Sequence, residues 1–459
     1  MTFLDDAVRQ AENAVETKFL FRKLGLPFDF ASDPEDFPSR AFAVSKETRA
    51  GVPNPTGLGT GFAHSCRNHA LLFDGYLARI ELGIESPTDE MILDRLIGGL
   101  IRLATVAPKS FLVAGLAVDG RGFYGAADWR NHAAWSFAAS RGYLTAAISP
   151  ESQEKFRSIV GKWLDKLGRD RFQLQSVDGK PVADGDLAAK NPLIGPAHLA
   201  MLLVGALVGG DEESYDLYEK AAREDDGVRL SAAPADAGNA DDAVLWRQAA
   251  LSVLANHDPD DGRKSIARER MRENARLALP AVTGWRDWDR SLLETAVDLE
   301  WRERPRRPPA ETEGLGFEPH ESWARIANER ALQRALAAMF VLFLAGDKPL
   351  ADEAAPEMEA CLAGTPWNSV VWLDALAPVV SIHARGAEME LWDRGLYDSR
   401  RIDDQTDVSI SAKYLESDYD DENPEKAGHR APPPGKAGHK WQPKSETGGR
   451  RKKRRRRKS

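Results

Sequence analysis

The chain has 459 residues, 42% apolar and 29% charged, which excludes wholesale disorder and leaves room for a large core. Two cysteines, Cys66 and Cys361, are too few for a disulfide framework or a cysteine-rich zinc site, and no apolar run reaches the ~18 residues of a membrane helix. The net charge of −9 conceals two unlike parts: from Asn423 onward fourteen Lys and Arg face two Glu (+12), while the preceding 422 residues hold 48 basic against 69 acidic groups (−21). An acidic body argues against a dedicated DNA-binding fold, which needs a basic face.

In chain order, the first apolar stripe runs over residues 3–21. It is acidic and amphipathic and lacks the basic start, apolar run and small-residue cleavage site of a secretory signal, so the expected location is cytoplasmic. A second stripe covers 71–82. Ser86-Pro87-Thr88-Asp89 then reads as a helix start, with Ser86 as cap and Asp89 completing a capping box ahead of Ile92, Leu93, Leu96, Ile97, Leu100 and Ile101. After a stripe at 135–147, Ser149-Pro150-Glu151 opens another helix with Pro in the first position; its stripe, Phe156 to Leu167, is expected to stop at Gly168. Further stripes follow at 198–208, 244–254, 266–279, 322–344, 356–362 and 370–382. Several, such as AHLAMLLVGALVGG and ALAAMFVLFLAG, mix Ala and Gly into continuous apolar runs, as inner helices covered on both sides do. Residues 111–118 and 172–177 each read as half of a short hairpin, with Asp119-Gly120 and Asp178-Gly179 as turns.

About twelve helices joined by short Gly, Asp and Pro turns lead us to expect an all-α fold, an (α/α)6 toroid with one or two short hairpins, over residues 1–400. No fixed repeat is present, so a solenoid of the TPR or HEAT type is the alternative. Residues 401–459 turn acidic, then Pro/Gly/Lys-rich, then basic, and are expected to be a disordered tail. Its nine consecutive cations, Arg450 to Lys458, suit nonspecific polyanion contact.

Four segments carry residues suited to chemistry. Pro53-Asn54-Pro55-Thr56-Gly57-Leu58-Gly59-Thr60-Gly61 is a rigid glycine loop without the Gly-Lys-Ser/Thr of a phosphate loop, followed by His64, Arg67, His69 and Asp74. The two histidines lack the spacing of a zinc helix, so neither metal nor cofactor is expected. In the second segment, Tyr124 leads into Asp128, Trp129, Arg130, His132 and Trp135. A carboxylate, an imidazole and indoles together can grip a sugar ring and move a proton, although Asp128 also suits a plain helix cap. The third, Trp285 to Arg290, sets Asp287 and Asp289 between Trp285 and Trp288, as half of a glycosidase carboxylate pair or as a helix start. The fourth, Phe317 to Trp323, has the same ingredients. No Gly-x-Ser-x-Gly elbow occurs.

The loop at residues 53–61, the following LLFDGYL and the later FLVAGLAVDGRGFYGAADWRNH resemble a largely uncharacterised group of bacterial proteins of the six-hairpin glycosidase-like (α/α)6 toroid superfamily. The group's pattern has a Pro-Asn-Pro-Asn-Gly-Trp-Gly-Thr-Gly loop, a helix carrying an Asp, and a second helix beginning Asp-Gln-Tyr-Thr-His. Asp74 matches the helix Asp, Asp128 the first residue of the second motif and His132 its last. The sequence departs at Leu58 and at Trp129-Arg130-Asn131. The resemblance spans residues 50–180 and continues over 190–385 only as a rhythm of helices. It implies carbohydrate-active chemistry, by hydrolysis or lyase action, on an oligosaccharide.

Under that expectation Asp128 is the general acid or base, Asp74 or Asp287 its partner, and His132 with Arg130 orients substrate. Tyr124, Trp129, Trp135 and Trp288 line the sugar, and a lyase would use Tyr124 or His132 as base. The rival expectation is a non-catalytic toroid that binds a glycan or a protein.

Overall fold

The computed structural model describes residues 3–21, 25–27, 65–86, 88–107, 111–116, 123–124, 127–175, 179, 181–210, 212–224, 227–233, 242–291 and 321–392. The chain divides into units Met1–Asp404 and Gln405–Ser459. The second unit, the expected tail, lies outside the described residues, as do the loop at 53–61 and most of the fourth segment.

The described part is mostly helical. Its twelve α-helices are α1 (Phe3–Ala14), α2 (Ser65–Leu82), α3 (Asp89–Thr105), α4 (Trp129–Tyr143), α5 (Pro150–Arg169), α6 (Gly195–Val204), α7 (Glu212–Arg223), α8 (Ala243–His257), α9 (Asp261–Ala278), α10 (Glu321–Ala345), α11 (Lys348–Gly364) and α12 (Val379–Glu388). Strand is confined to three two-stranded antiparallel ladders: β1 (Leu20–Phe21) with β2 (Leu26–Pro27), β3 (Gly115–Leu116) with β4 (Phe123–Tyr124), and β5 (Gln173–Gln175) with β6 (Pro181–Asp186). The latter two are the hairpins expected from the sequence.

The helices form where local chemistry favours them. Ser149 caps α5 by accepting from the Ser152 amide, with Pro150 supplying the preset φ of the first turn. The expected stop at Gly168 is not used: α5 runs one residue past it, and Arg171 and Phe172 make the turn at φ 53° and 57°. At α3 the helix begins at Asp89 with Thr88 in the cap position, not at Ser86. Asp89 does reach back to the Ser86 amide (3.0 Å), but it is fully buried and its main partner is Arg79, through bonds of 2.8 and 2.6 Å. The stripe at 370–382 is not one helix: two short 3-10 turns precede α12, which starts only after Pro378. Helix α7 leaves no stripe because only Ser214 and Tyr218 are buried on it.

Packing sorts the helices into two kinds. In α6 all ten residues are buried and in α8 all but the last two, which is why both read apolar all round. Charged α9 buries only Ala267, Met271, Asn274, Ala275 and Ala278. Helix α2 packs on α3, α4 and α12; α4 on α5, α6 and α8; α8 on α6, α9 and α10; and α10 on α9 and α12. Close approach at Gly99 of α3 brings the Gly25 carbonyl and the His69 ring within 2.3 Å of where a Cβ would stand. Gly99→Ala is therefore expected to lower stability by about 1–3 kcal/mol, the usual cost of overpacking a tight core, read as a lower urea midpoint at unchanged slope.

Candidate functional site

Three helix starts meet in a chain of ion pairs. Asp128, in extended backbone, caps α4 by accepting from the amides of Arg130 (3.0 Å) and Asn131 (3.1 Å). The same carboxylate accepts from Arg130 Nε at 2.8 Å, and Arg130 Nη1 reaches across to Asp242 Oδ1 at 2.8 Å. Asp242 stands at the start of α8, where it makes no side-chain cap and is instead bonded by Arg67 of α2 and by Trp246 Nε1 (3.3 Å). Beside it Asn68 donates to Asp374 Oδ1 at 2.6 Å. The cluster is reachable: the side chains of Arg130 and Asp128 keep 33% and 21% of their surface, those of Arg67 and Asp242 15% and 13%.

Burial works against the Arg67 cation, yet Asp242, Asp128 and Asp374 outweigh it and hold its pKa above the ordinary value. Arg130 is raised in the same way, against burial, by Asp242 and Asp128. Arg67, Asn68, Asp242, Trp246, Gln333 and Asp374 line a cleft floored by Leu71, Leu245, Ala337 and Pro378. Its cavity of about 20 Å³ has room for roughly one water, so a larger ligand must sit at its mouth.

The remaining candidates are placed elsewhere. His132 lies one turn into α4, 5% exposed, and its Nδ1 accepts from Trp163 Nε1 at 3.2 Å. Burial pushes its pKa down to about 4, against the attraction of Asp128, so the ring is neutral near pH 7. Asp74, fully buried, is the hub of a different network, bonded by Arg385 (2.7 and 2.9 Å), Arg141 (3.1 Å) and Ser381 (2.5 Å). Burial would raise its pKa, but Arg385, Arg141 and these hydrogen bonds bring it below the ordinary value. Asp287 ends the 3-10 helix Leu279–Asp287, which packs on α10 and α11.

The tryptophans are core. Trp129 and Trp288 keep 5% and 4% of their surface, and Trp135, fully buried, donates to the Leu100 carbonyl at 3.1 Å. Tyr124 pairs with Gly115 in the β3–β4 ladder, and its side chain lies outside the described residues. The fold therefore gathers Asp128, Arg130 and His132 near one another and leaves Asp74 and Asp287 apart.

Sequence reasoning missed Asp242, Asn68 and Asp374, and gave Arg67 no role. Asp242 was legible as the polar residue before the apolar run AVLW; its pairing with Arg130, 112 residues away, was not. Among the described residues no group of three His, Cys, Asp or Glu side chains is placed to hold a metal ion, and no helix is long and apolar enough to cross a membrane. No family model matches the chain, and neither a curated protein nor a solved structure matches it.

Proposed function

We propose that the helical body is an (α/α)6 toroid that binds an oligosaccharide at the rim formed by the starts of α2, α4 and α8, and that this rim binds without cleaving. Support for the toroid comes from the order of contacts: α2 touches α4, α4 touches α6, then α8, α10 and α12 follow in turn, and α12 touches α2. The starts of α2, α4 and α8 fall together because α4 packs on both α2 and α8.

The observation that carries the binding reading is the Arg67–Asp242–Arg130–Asp128 chain. Fixed, partly exposed carboxylates and guanidiniums offer sugar hydroxyls both acceptors and donors, already oriented by their mutual bonds. Hydrolysis needs one carboxyl held protonated near neutral pH. Here both acids are already engaged as acceptors, Asp128 by Arg130 and Asp242 by Arg130 and Arg67. A lyase base fares no better at His132, whose ring is 5% exposed and whose Nδ1 already accepts a hydrogen bond.

Titration of the full chain with a panel of neutral and acidic oligosaccharides, with product analysis in the same tubes, tests this. Binding without product is expected, and Asp242→Asn is expected to weaken it by at least about tenfold, since the two arginines lose their shared counter-charge. Sugar release or an unsaturated product would replace the reading with an enzyme; no binding across the panel would overturn it. Polyanion contact through residues 450–458 is proposed beside it, with a log–log salt slope near −8 if all nine cations meet phosphates.

A further inference from the structure

Beside α4, α5 and the β5 strand enclose a separate cleft walled by Phe111, Trp163, Leu167 and Leu174. Three neutral polar side chains line it, Gln173 and Gln175 on the β5 strand and, from α4, the buried His132 ring. Trp163 is 1% exposed and lies nearly parallel to that ring, 5.9 Å between centroids and 17° between planes, and its Nε1–H donates to Nδ1. An imidazole that accepts at Nδ1 and is neutral carries its proton at Nε2. Nε2–H is thus a donor of fixed position on a nine-tenths-buried ring, with no hydrogen-bond partner among the described residues. At the mouth Lys166 and Asp170 bond each other, and the Lys166 ammonium lies 5.4 Å over the Phe111 ring.

The wall next to Asp170 is a built feature. Arg171 and Phe172 both hold positive φ, a conformation costly for residues with a Cβ, and hydrogen bonds to the end of α5 (Arg171 N to Gly168 O, 2.9 Å; Phe172 N to Leu167 O, 2.8 Å) lock it. That turn delivers Gln173 to the cleft.

The geometry points to a small-molecule site here that takes a flat, uncharged ring with one in-plane acceptor, such as a nitrogen heterocycle. The ring would fill the slot between Phe111 and the Trp163–Leu174 wall and accept from His132 Nε2–H. A charged ligand gains no net attraction here, because Lys166 and Asp170 already neutralise each other. The cavity as it stands holds about one water, so the ligand displaces it and moves the Lys166–Phe111 stack outward.

Pyridine at pH 7.5 is the probe and benzene, equal in shape but without an acceptor, its control. Long-range 1H–15N spectra of the full chain, with the His132 signal assigned by its loss in His132→Gln, are expected to show Nε2 protonated and Nδ1 bare. Pyridine should shift the Nε2 signal with millimolar affinity, and benzene should bind about tenfold more weakly, the effect of one neutral hydrogen bond. Trp163→Phe removes the donor that fixes the tautomer, so its His132 nitrogens should average and its pyridine affinity fall severalfold. Unchanged His132 nitrogens at about 50 mM pyridine, far above a millimolar Kd, or benzene binding as well as pyridine, would overturn the site.

Discussion

Acidification from pH 7 to pH 5 is expected to strip most of the stability from this protein. Four buried histidines, His69, His132, His198 and His383, have pKa values pushed down by burial to about 4, 4, 3 and 4. Their surroundings supply little to hold a proton. His69 Nε2 bonds the Leu96 carbonyl at 2.6 Å, which only partly offsets its burial, and among the described residues both ring nitrogens of His198 and of His383 lack a hydrogen-bond partner. His198 meets the edge of Phe172 and is opposed by the Arg229 cation, and His383 lies parallel to Trp392 with Asp5 at 4.0 Å and the Arg79 cation opposing its charge.

In the unfolded chain these rings protonate near pH 6.5, while the folded chain keeps them neutral down to their lowered pKa values, so protons bind preferentially to the unfolded state. Stability is therefore complete above pH 6.5 and falls as the pH drops from 6.5 toward 4. At pH 5 each ring costs about 2 kcal/mol, and four together reach the scale of a whole domain's stability, about 5–15 kcal/mol. Urea midpoints measured at pH 7, 6 and 5 should decline steeply. His198→Leu, which leaves one fewer ring to protonate, should shrink the decline by about a quarter. Equal midpoints at pH 7 and 5 would contradict the assignment of these rings as neutral and buried.

The second large effect is expected at Asp74. Its carboxylate binds Arg385 of α12, Arg141 of α4 and Ser381, and Arg141 continues to Glu81 at 2.7 Å and so back to α2. Removing the acid leaves Arg385 without a carboxylate and Arg141 with Glu81 alone, on side chains that keep only 15% and 26% of their surface. Asp74→Ala should cost about 3–5 kcal/mol, the range for breaking a buried pair from one side. Asp74→Ser, which keeps one hydrogen-bond acceptor, should recover a minor part.

The pH signature differs from that of the histidines. A carboxylate whose folded pKa lies below its ordinary value of 3.8 stabilises the protein above that pH and loses its effect only as the pH falls further. Asp74→Ala should thus lower stability uniformly between pH 5 and 8. A loss below about 1 kcal/mol would assign the hub to the weak class of surface ion pairs.

Asp128 shows why a catalytic reading was reasonable from sequence and incomplete. A carboxylate ahead of Trp129, Arg130 and His132 looks the same whether it caps a helix or protonates a sugar, since both uses place an acid at a helix start. The capping use was legible and is present, with two amides donating to it. What the sequence did not show is Arg130 folding back on it and also spanning to Asp242. The tryptophans misled for a related reason: Trp135 and Trp163, tilted at 4.9 Å, pack as a core pair, and indoles spaced along a helix look alike facing ligand or facing core.

By itself the sequence determined what depends on neighbours a few residues apart: the helical class, the start of α5 at Ser149-Pro150, the cap at Asp128, the inner character of α6 and α10, and two hairpins. Those features follow from local hydrogen bonding, preset backbone angles and the spacing of apolar side chains. Tertiary structure alone decided which charges meet. Asp74 bonds Arg385 from 311 positions away and Arg130 bonds Asp242 from 112, and in a sequence of 62 basic and 71 acidic residues the periodicity of any one helix names no partner. It also decided which polar groups are buried. A histidine's charge state depends on how many layers of chain cover it, and that is fixed only when distant helices pack.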